Sequence, residues 1–397
     1  MKAHTNAQID LYRNALDLLA TKLLEDEGHL GVAFPYVTAP DGSWQTMLAS
    51  ESAGYGPSGW SHGNWFCGFW VGLLLASHLH TGDPRHLAIA RERMRLVAQR
   101  ADDPNTHDIG FIFNASAVPL HHVTGDADLA AIGLAAAERL RSRTVMTDRG
   151  AYLSSWGPLD DARARCSSAI DTMANLALLY WASRHTGDAS YALAAVAHAD
   201  MTRGAFIRPD QSTYHAVQYD LPSGARARGY TFQGYADESC WSRGQGWAIL
   251  GYADTAAATG RRDYLELANT LADHFLARIG DDPVAFYDFD DPAIPDSPRD
   301  TAASAIVANA LLKMADLDAD AERSALRRGQ GLWLLEGLCR TSLAQEGSHR
   351  GLLKHGCYSR PHDIGPDSAV LFGDYYFVEA LCQVVMPGRF RPTYGTI

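Results

Sequence analysis

Positive charge is scarce in this 397-residue sequence, which has 34 Lys and Arg against 46 Asp and Glu, a net charge of −12 and no basic cluster. Because nucleic acid is bound by Lys- and Arg-rich surfaces, this composition argues against such a partner. No apolar run reaches the length of a membrane span. The segment from Met1 to Gly28 is amphipathic and lacks the apolar core of a secretory signal, so we expect no membrane association and a cytoplasmic location.

Cysteine is also scarce and forms no C-x-x-C motif. The scattered spacing favours buried thiols in a reducing compartment over disulfides or zinc. Cys240 lies in an aromatic segment but has no activating base beside it, so we interpret it as a packed side chain rather than a nucleophile. The acidic run at residues 288–291 lacks the Gly and terminal Glu of a calcium loop, so we expect turns there and neither a metal nor a cofactor. The six cysteines are Cys67, Cys166, Cys240, Cys339, Cys357 and Cys382.

The sequence does contain a recurring helix–turn–helix junction, in the segments LHTGDPRH, HVTGDADL, RHTGDASY and AATGRRDY. A glycine in each segment can adopt the left-handed conformation just past a helix C-terminus. In three segments an aspartate follows that can cap the next helix. The glycines are Gly82, Gly125, Gly187 and Gly260, and the aspartates are Asp83, Asp126 and Asp188.

The segments before these junctions are apolar all round, and the segments after them are amphipathic. A helix of the first kind is buried and one of the second kind lies outside it. Two further apolar segments at residues 302–314 and 373–385, with the helix near residues 15–24, bring the count close to six hairpins. We therefore predict an all-α fold, an (α/α)6 barrel or six-hairpin toroid, formed by residues 1–397 as one domain.

Four long loops, at about residues 35–64, 206–244, 281–301 and 346–374, lead into inner helices and would gather at one mouth of the barrel. Loops of this length in a compact fold are usually functional.

Residues 230–247, YTFQGYADESCWSRGQGW, combine aromatic rings with amide, carboxylate and guanidinium groups. Aromatic faces beside such donors suit a sugar ring that bears a carboxylate. The alternative is a Gly-rich surface loop with incidental aromatics, which is disfavoured because exposed Trp is usually avoided.

Two aspartates stand at the starts of predicted inner helices, Asp108 in NTHDIGFIF and Asp171 in SSAIDTMANLALLYW. Either could simply cap its helix. Both, however, would face the barrel mouth, and two carboxylates on one cavity are the general acid and base pattern of glycan chemistry. His107 adjoins the first. We expect Asp374 to cap the last inner helix, and His215 to be either a ligand contact or a solvated loop histidine.

Seven ordered blocks of the chain resemble the unsaturated glucuronyl hydrolases of glycoside hydrolase family 88. They are WFCGFWVG, HDIGF, IDTMANLALLYWAS, YHAVQYDLPSG, TFQGYADESCWSRGQGW, YDFDDPAIPDSPRDTAASAI and GDYYFVEAL. The resemblance covers most of the chain and implies the same (α/α)6 barrel. It also implies an enzyme that releases the 4,5-unsaturated uronic acid from the non-reducing end of lyase-generated oligosaccharides by hydrating the C4=C5 enol ether.

The resemblance implies roles for individual residues. Asp171 would be the general acid and base, and Asp108 the helper carboxylate that positions ring hydroxyls and tunes the pKa of Asp171. Arg243 would pair with the uronate carboxylate. The substrate wall would comprise His215, Gln233, Trp241, Arg243 and Trp247, completed by Trp65, Trp156 and Tyr358. The sequence leaves open whether the enzyme is a monomer or a homodimer.

One loop departs from the pattern. Family members that prefer 6-sulfated glycosaminoglycan fragments carry Ser-x-x-Ser-x-Lys before GDYY. Here Ser359 is retained as a candidate substrate contact, but His362 replaces the second Ser and Ile364 the Lys, and Asp363 adds negative charge. Although Arg360 could contact an anion, we expect a preference for unsulfated substrates, such as unsulfated chondroitin or hyaluronan fragments, or fragments of gellan or xanthan.

Three alternatives remain. An unsaturated rhamnogalacturonyl hydrolase would share the barrel and the chemistry but act on pectin fragments. A sugar epimerase or isomerase on the same barrel would use histidine pairs on inner helices, where this chain carries aspartates. A catalytically silent sugar-binding protein would not need the pair Asp108 and Asp171.

Overall fold

Helices make up most of the structure, a computed structural model that describes residues 6–51, 63–345, 347 and 349–390. Residues 52–62 of the first long loop, Glu346 and Ser348 of the fourth and both chain ends lie outside this range. In chain order the helices are α1 (Asn6–Leu30), α2 (Cys67–Thr81), α3 (Pro84–Val97), α4 (Ile109–Ala115), α5 (Ala117–Thr124), α6 (Ala127–Arg141), α7 (Ala162–Arg165), α8 (Thr172–Thr186), α9 (Ala189–Phe206), α10 (Ser242–Thr259), α11 (Arg262–Ile279), α12 (Thr301–Leu317), α13 (Ala321–Thr341) and α14 (Leu371–Val385).

The inner helices form a closed ring: α2 packs on α4, α4 on α8, α8 on α10, α10 on α12, α12 on α14, and α14 on α2. They are buried all round, as every residue from Thr172 to Ala182 of α8 is. The outer helices bury one stripe, which in α3 includes His86, Ala90, Met94 and Val97. Each outer helix packs beside an inner one, with α1 against α14. The predicted (α/α)6 barrel is therefore confirmed.

The predicted junctions are also confirmed. The four glycines follow the C-termini of α2, α5, α8 and α10 with φ between 67° and 76°. Asp83, Asp126 and Asp188 each accept a hydrogen bond from the backbone N–H two residues later, as N-caps do. These short turns reverse the chain, so successive inner helices run in the same direction.

One predicted inner helix is divided into two. The break lies at Ser116, whose φ and ψ are −122° and −88°, between α4 and α5. Pro119 lies three residues later in α5. A proline cannot donate to the carbonyl four residues before it, here that of Ala115, and its ring clashes with that group. The helix therefore cannot continue through this point.

Three small antiparallel sheets occupy connections between the helices, where the sequence analysis predicted no strands. The pairs are β1 (Phe34–Thr38) with β2 (Trp44–Met47) and β3 (Thr144–Thr147) with β4 (Gly150–Leu153). A third sheet has the order β5 (Ser167–Ala169), β6 (Ala216–Asp220), β7 (Ala225–Tyr230). β5 ends just before Asp171, and the N–H of Ile170 donates to the carbonyl of His215 at 2.9 Å. The third sheet therefore places Asp171 beside the segment that contains His215.

Because the inner helices are parallel, their N-terminal ends meet at one mouth. Rings from three of them are in contact there: Trp65, just before α2, lies 5.2 Å from Phe111 of α4 and 4.9 Å from Phe372 of α14 between ring centroids. The predicted long loops lead into these ends. The residues proposed from the sequence therefore come from distant parts of the chain to the same mouth.

Candidate functional site

Asp108 and Asp171 are the residues immediately before α4 and α8, and neither side chain caps its helix. Asp108 accepts a hydrogen bond through Oδ2 from Thr106 Oγ1 at 2.9 Å. Oδ1 of Asp171 is buried and has no hydrogen-bond partner in the part of the chain that the structure describes. The capping alternative therefore does not explain either carboxylate.

The surroundings of Asp171 favour its protonated form. The pKa of Asp171 is raised to about 7, mainly by burial and also by the nearby charge of Asp108, whereas His107 and Arg243 oppose the rise. A carboxyl group of this kind keeps a proton near neutral pH. Asp171 can therefore serve as a proton donor where an ordinary aspartate is ionised.

His107 lies between the two helix starts and is buried. Its Nδ1 is 2.8 Å from Oγ1 of Thr172, the first residue of α8. Its Nε2 is 3.0 Å from Oδ1 of Asp108, an ion-pair distance without the alignment of a hydrogen bond. His107 therefore connects the segment of Asp108 to the helix that follows Asp171.

Asn175, inside α8, joins the same two helix starts. Its Oδ1 accepts from the N–H of Phe111 at 2.5 Å, and its Nδ2 donates to the carbonyl of Asp171 at 3.0 Å. A Cβ at Gly110 would lie 2.5 Å from the Asn175 side chain, so only glycine permits this approach. The separation of the two carboxylates thus depends on a contact that the sequence analysis did not identify.

His215 is buried against the aromatic segment, so the solvated-loop alternative is wrong. Its ring stacks on Trp241 at 4.2 Å and contacts Phe232 at 4.0 Å. Nδ1 is 2.9 Å from Thr231 Oγ1, and Nε2 is buried without a partner among the described residues. Burial, with the charge of Arg243, lowers the pKa of His215 well below its usual value. The ring is therefore neutral and has one nitrogen available to a ligand.

The acidic run within the third loop is hydrogen-bonded to the aromatic segment, residues 230–247. Asp288 accepts from the N–H of Tyr235 at 2.8 Å and from Ser239 Oγ at 2.6 Å, and Asp290 accepts from the N–H of Cys240 at 2.8 Å. The predicted turn is present too, since the N–H of Asp290 donates to Asp288. Cys240 is fully buried, which raises its thiol pKa to about 12, so its interpretation as a packed side chain is confirmed.

The contacts of Arg243 differ from the prediction. Its side chain is 1% exposed and forms an ion pair with the fully buried Asp300. It also donates to the carbonyls of Cys357 and Tyr358, each at 2.6 Å. The guanidinium is thus occupied by protein groups, and the expected direct pairing with a substrate carboxylate does not fit this arrangement. Arg243 instead fixes the loop that carries Tyr358.

The aromatic residues proposed for the wall differ in exposure. Trp65 is partly exposed, and its Nε1 donates to the Tyr358 hydroxyl at 3.3 Å. Trp241, Trp247 and Tyr358 are at most 3% exposed, and Trp247 packs on Phe111. These buried rings lie in or beneath the wall rather than on an open face. Trp156, 7% exposed, packs on Phe232 beside His215.

The loop before α14 is built from buried polar contacts. Gln233, which is buried, donates to the carbonyl of Tyr358 at 3.0 Å. Ser359 is buried and its Oγ is 2.8 Å from Nδ1 of His362. Asp374 does not cap α14, so that prediction is wrong; it lies inside the helix and accepts from the N–H groups of Leu352 and Leu353 at 2.9 and 2.8 Å.

The described residues contain no group of three or more His, Cys, Asp or Glu side chains arranged to hold a metal. All six cysteines are unpaired. Within the described ranges, no helix is both long and apolar enough to span a membrane.

Sequence reasoning proposed the two carboxylates but missed several buried polar residues around the site. Asn175 was detectable as an amide inside the apolar run MANLALLYW, where a polar side chain needs a partner. Asp300 precedes an apolar helix and accepts a hydrogen bond from the N–H of Ala302. Its sequence position could therefore have indicated a helix cap, but not its pairing with Arg243. Arg143, which is buried and donates to the carbonyl of Pro104, follows an ordinary amphipathic helix, and nothing in the local sequence marks it.

Comparison with known proteins gives a consistent result. The family described as Glycosyl Hydrolase Family 88 matches residues 41–376. The unsaturated glucuronyl hydrolase of Bacillus sp. (strain GL1) is 35% identical over 363 residues, which cover 89% of this chain and 91% of the relative. The unsaturated chondroitin disaccharide hydrolase of Streptococcus agalactiae serotype III (strain NEM316) is 29% identical over 324 residues, with 80% and 81% covered.

A solved structure is similar over nearly the whole chain. It is the crystal structure of an unsaturated glucuronyl hydrolase, responsible for the degradation of glycosaminoglycan, from Bacillus sp. GL1. It superimposes with a TM-score of 0.87 at 31% identity and covers 96% of this chain and 99% of the other.

Proposed function

The chain belongs to glycoside hydrolase family 88, and we propose from this premise that it releases the 4,5-unsaturated uronic acid from the non-reducing end of lyase-generated oligosaccharides. The observation that carries this proposal is the pair of carboxylates at the starts of α4 and α8, neither of which caps its helix. Asp171 holds a proton near neutral pH, while Asp108 faces a histidine. Such a pair can protonate a carbon and then activate water.

The first step is protonation of the enol ether. Asp171 donates its proton to C4 of the unsaturated uronate, and positive charge develops at C5 and the ring oxygen. Ionised Asp108 stabilises this charge and binds ring hydroxyls. The raised pKa of Asp171 supports its role as the donor, because an ordinary aspartate would be ionised at the working pH.

The second step is the addition of water. The carboxylate of Asp171 accepts a proton from water as the hydroxyl adds to C5, which restores the protonated acid. The resulting hemiketal opens by breaking its bond between C5 and the ring oxygen, and the hemiacetal left at C1 releases the rest of the oligosaccharide as an alcohol. The anomeric carbon is never attacked, so the spacing rule for retaining and inverting glycosidases does not apply.

For substrate binding, the neutral ring of His215 offers a nitrogen that has no protein partner. Trp65 offers a partly exposed ring. The remaining residues proposed from the sequence support the wall from behind and complete the pocket around these two. They are Gln233, Trp156, Trp241, Arg243, Trp247, Tyr358 and Ser359.

The proposed substrates are unsulfated fragments, of chondroitin, hyaluronan or a bacterial gum. The bond between Ser359 and His362 supports this preference, because it occupies the hydroxyl that remains of the sulfate-associated pattern. The relatives described above are named for glucuronyl and chondroitin disaccharide hydrolysis, which favours this function over rhamnogalacturonyl hydrolysis and over isomerase chemistry.

We further propose that residues 1–397 form one catalytic domain, and that the enzyme works in the cytoplasm as a monomer or homodimer. Closure of the inner ring between α14 and α2 supports the single domain. The six unpaired cysteines support a reducing compartment. Gel filtration with light scattering tests the oligomeric state, and cell fractionation tests the location.

The deciding experiment follows the near-ultraviolet absorbance of the C4=C5 bond with wild-type protein, Asp171→Asn and the control Asp188→Asn. Asp188 caps α9 at the other end of an inner helix, and Asn caps equally well. The substrates are unsaturated fragments of unsulfated and sulfated chondroitin, hyaluronan, gellan, xanthan and rhamnogalacturonan.

We expect absorbance to fall with wild type and Asp188→Asn but not with Asp171→Asn, and fastest with an unsulfated substrate. No change in absorbance with any substrate would reject the proposed activity. Full activity in Asp171→Asn would reject the role of that residue.

A further inference from the structure

Arg143 is a buried cation just past the end of α6, hydrogen-bonded to the segment that precedes Asp108. Its side chain is 1% exposed. Nε donates to the carbonyl of Ser154 at 2.7 Å, and Nη2 donates to Ser154 Oγ at 3.1 Å and to the carbonyl of Gly157 at 3.0 Å. Nη1 donates to the carbonyl of Pro104. One planar guanidinium therefore joins two separate segments, residues 104–108 and residues 154–157.

Each of these segments delivers a residue to the site. The first ends in Asp108, and the second contains Trp156, which packs beside His215 through Phe232. The segments are also joined directly, since the N–H of His107 donates to the carbonyl of Ser155 and that of Gly157 to the carbonyl of Asn105, both at 2.9 Å. Arg143 adds a further connection between these two segments through its hydrogen bonds to Pro104, Ser154 and Gly157.

The charge of Arg143 is not neutralised by a close partner. Among the described residues, no carboxylate lies within 4.0 Å of its guanidinium, and all its acceptors are uncharged. Burying a cation in this way is unfavourable, and burial lowers the pKa of Arg143 to about 10. The charges that oppose this shift are Asp103 and Asp108. Asp103 is already paired with Arg100 at 2.7 Å.

We propose that Arg143 is a positioning residue for the hydration reaction: it fixes Asp108 relative to Trp156 and favours the ionised form of Asp108. This inference rests on the proposed function. Holding the two segments together requires only hydrogen-bond donors, whereas a cation is needed to bias the charge of a nearby carboxylate. A fork of donors is needed to hold three carbonyls at once.

The expected pH effect has a definite sign. Among the residues that the structure describes, the groups that face Asp108 include Thr106 and His107 from its own segment, Asp171 from the start of α8, and Arg143. Removing the cation raises the pKa of Asp108. The reaction needs Asp108 ionised, so on acidification the variant loses activity at a higher pH than the wild type does. The acid limb of its kcat profile therefore moves up by about one pH unit.

The test compares Arg143→Gln, Arg143→Lys and the control Arg327→Gln. Arg327 is also a buried arginine, bonded to Asn269 of a neighbouring outer helix and far from the mouth. For each protein the measurements are Tm, kcat and KM at pH 7, and kcat between pH 4 and 9 on an unsaturated disaccharide.

We expect kcat of Arg143→Gln to fall roughly 10- to 100-fold, with its acid limb shifted upward. Arg143→Lys keeps the charge but not the fork, so kcat falls while the acid limb stays in place. Arg327→Gln lowers Tm without moving the limb. An active wild type with an unshifted limb in folded Arg143→Gln, or unchanged kcat in Arg143→Lys, would overturn the inference. If Arg143→Gln does not fold, Arg143→Lys alone decides. An inactive wild type would instead reject the proposed function.

Discussion

The guanidinium of Arg243 is paired with the carboxylate of Asp300, and both side chains are buried at the barrel mouth. Asp300 also accepts from the N–H groups of Ala302 and Cys357, at 3.1 and 3.3 Å. The pair therefore joins the starts of α10 and α12 to the loop that carries Tyr358. A residue that the sequence suggested for substrate binding thus supports the wall of the site from behind.

Asp300→Asn is expected to destabilise the fold strongly. The substitution leaves the charge of Arg243 buried without a counter-ion, which typically costs about 3–5 kcal/mol. Urea denaturation measures the loss, with Asp10→Asn as the control. Asp10 pairs with Arg13 on the surface, where both side chains are more than half exposed, and its loss should cost less than about 0.5 kcal/mol. Equal costs for the two variants would show that the buried pair contributes little.

Asp171→Asn is expected to raise stability at high pH while abolishing turnover. Asp171 has a pKa raised to about 7 in the folded protein, against an ordinary value of 3.8. The stability that the neutral carboxyl group contributes is therefore fully present below about pH 4, and it is lost as the pH rises through about 7. Asparagine has no such penalty, so the variant should be more stable by roughly 2–4 kcal/mol at pH 8 and equal near pH 4. Thermal unfolding at both pH values measures this, and a gain independent of pH would contradict it.

The barrel could be predicted from the sequence because the features that indicate it are local. Left-handed glycines, caps such as Asp188 and apolar runs depend on neighbours in the chain, and they determine which helices are inner. Asp108 and Asp171 could be proposed for the same reason, since each begins an inner helix.

Roles that depend on partners distant in the chain could not be predicted from the sequence. Arg243 has a charge that the sequence shows, but its partner Asp300 lies 57 residues away. Trp247 looked like a sugar-stacking ring, although its position in α10 directs it against Phe111. Residue type gives the chemistry of a side chain, whereas the fold determines what it contacts.

Trp65 and Trp247 should respond differently to truncation. Trp247 is 1% exposed and packs in the ring of the inner helices, so Trp247→Ala should cost about 3–5 kcal/mol of stability. Trp65 is partly exposed at the mouth, so Trp65→Ala should cost less stability and raise KM roughly tenfold, equivalent to about 1.4 kcal/mol of binding. Urea denaturation and steady-state kinetics separate the two effects. If Trp247→Ala folds and raises KM more than Trp65→Ala does, the assignment of Trp247 to packing and Trp65 to binding would be contradicted.

Sulfate preference should follow the loop before α14. Ser359 is bonded to His362, and residue 364 is Ile, so this loop offers a 6-sulfate no free hydroxyl at 359 and no cation at 364. The double substitution His362→Ser with Ile364→Lys should raise the ratio of kcat/KM for 6-sulfated over unsulfated chondroitin disaccharide by about tenfold. Asp363→Asn, which removes a negative charge without adding a donor, is the control and should change the ratio less. An unchanged ratio in the double variant would place sulfate discrimination elsewhere.

Asn175 should control the geometry of the two carboxylates without contacting substrate. Its amide binds the N–H of Phe111 and the carbonyl of Asp171, so Asn175→Ala releases α8 from α4 at the point where both begin. We expect kcat to fall roughly 100-fold, because small displacements of catalytic groups have large effects. Asn175→Asp keeps the acceptor for Phe111 but loses the donor to Asp171 and adds a charge near Asp171. This variant should therefore remain impaired, with a higher apparent pKa for Asp171 in its kcat profile.

The control is Asn269→Ala, which removes an amide bonded within an outer helix and should lower Tm with kcat near wild type. If Asn175→Ala lowers Tm equally and leaves kcat unchanged, Asn175 contributes only to packing.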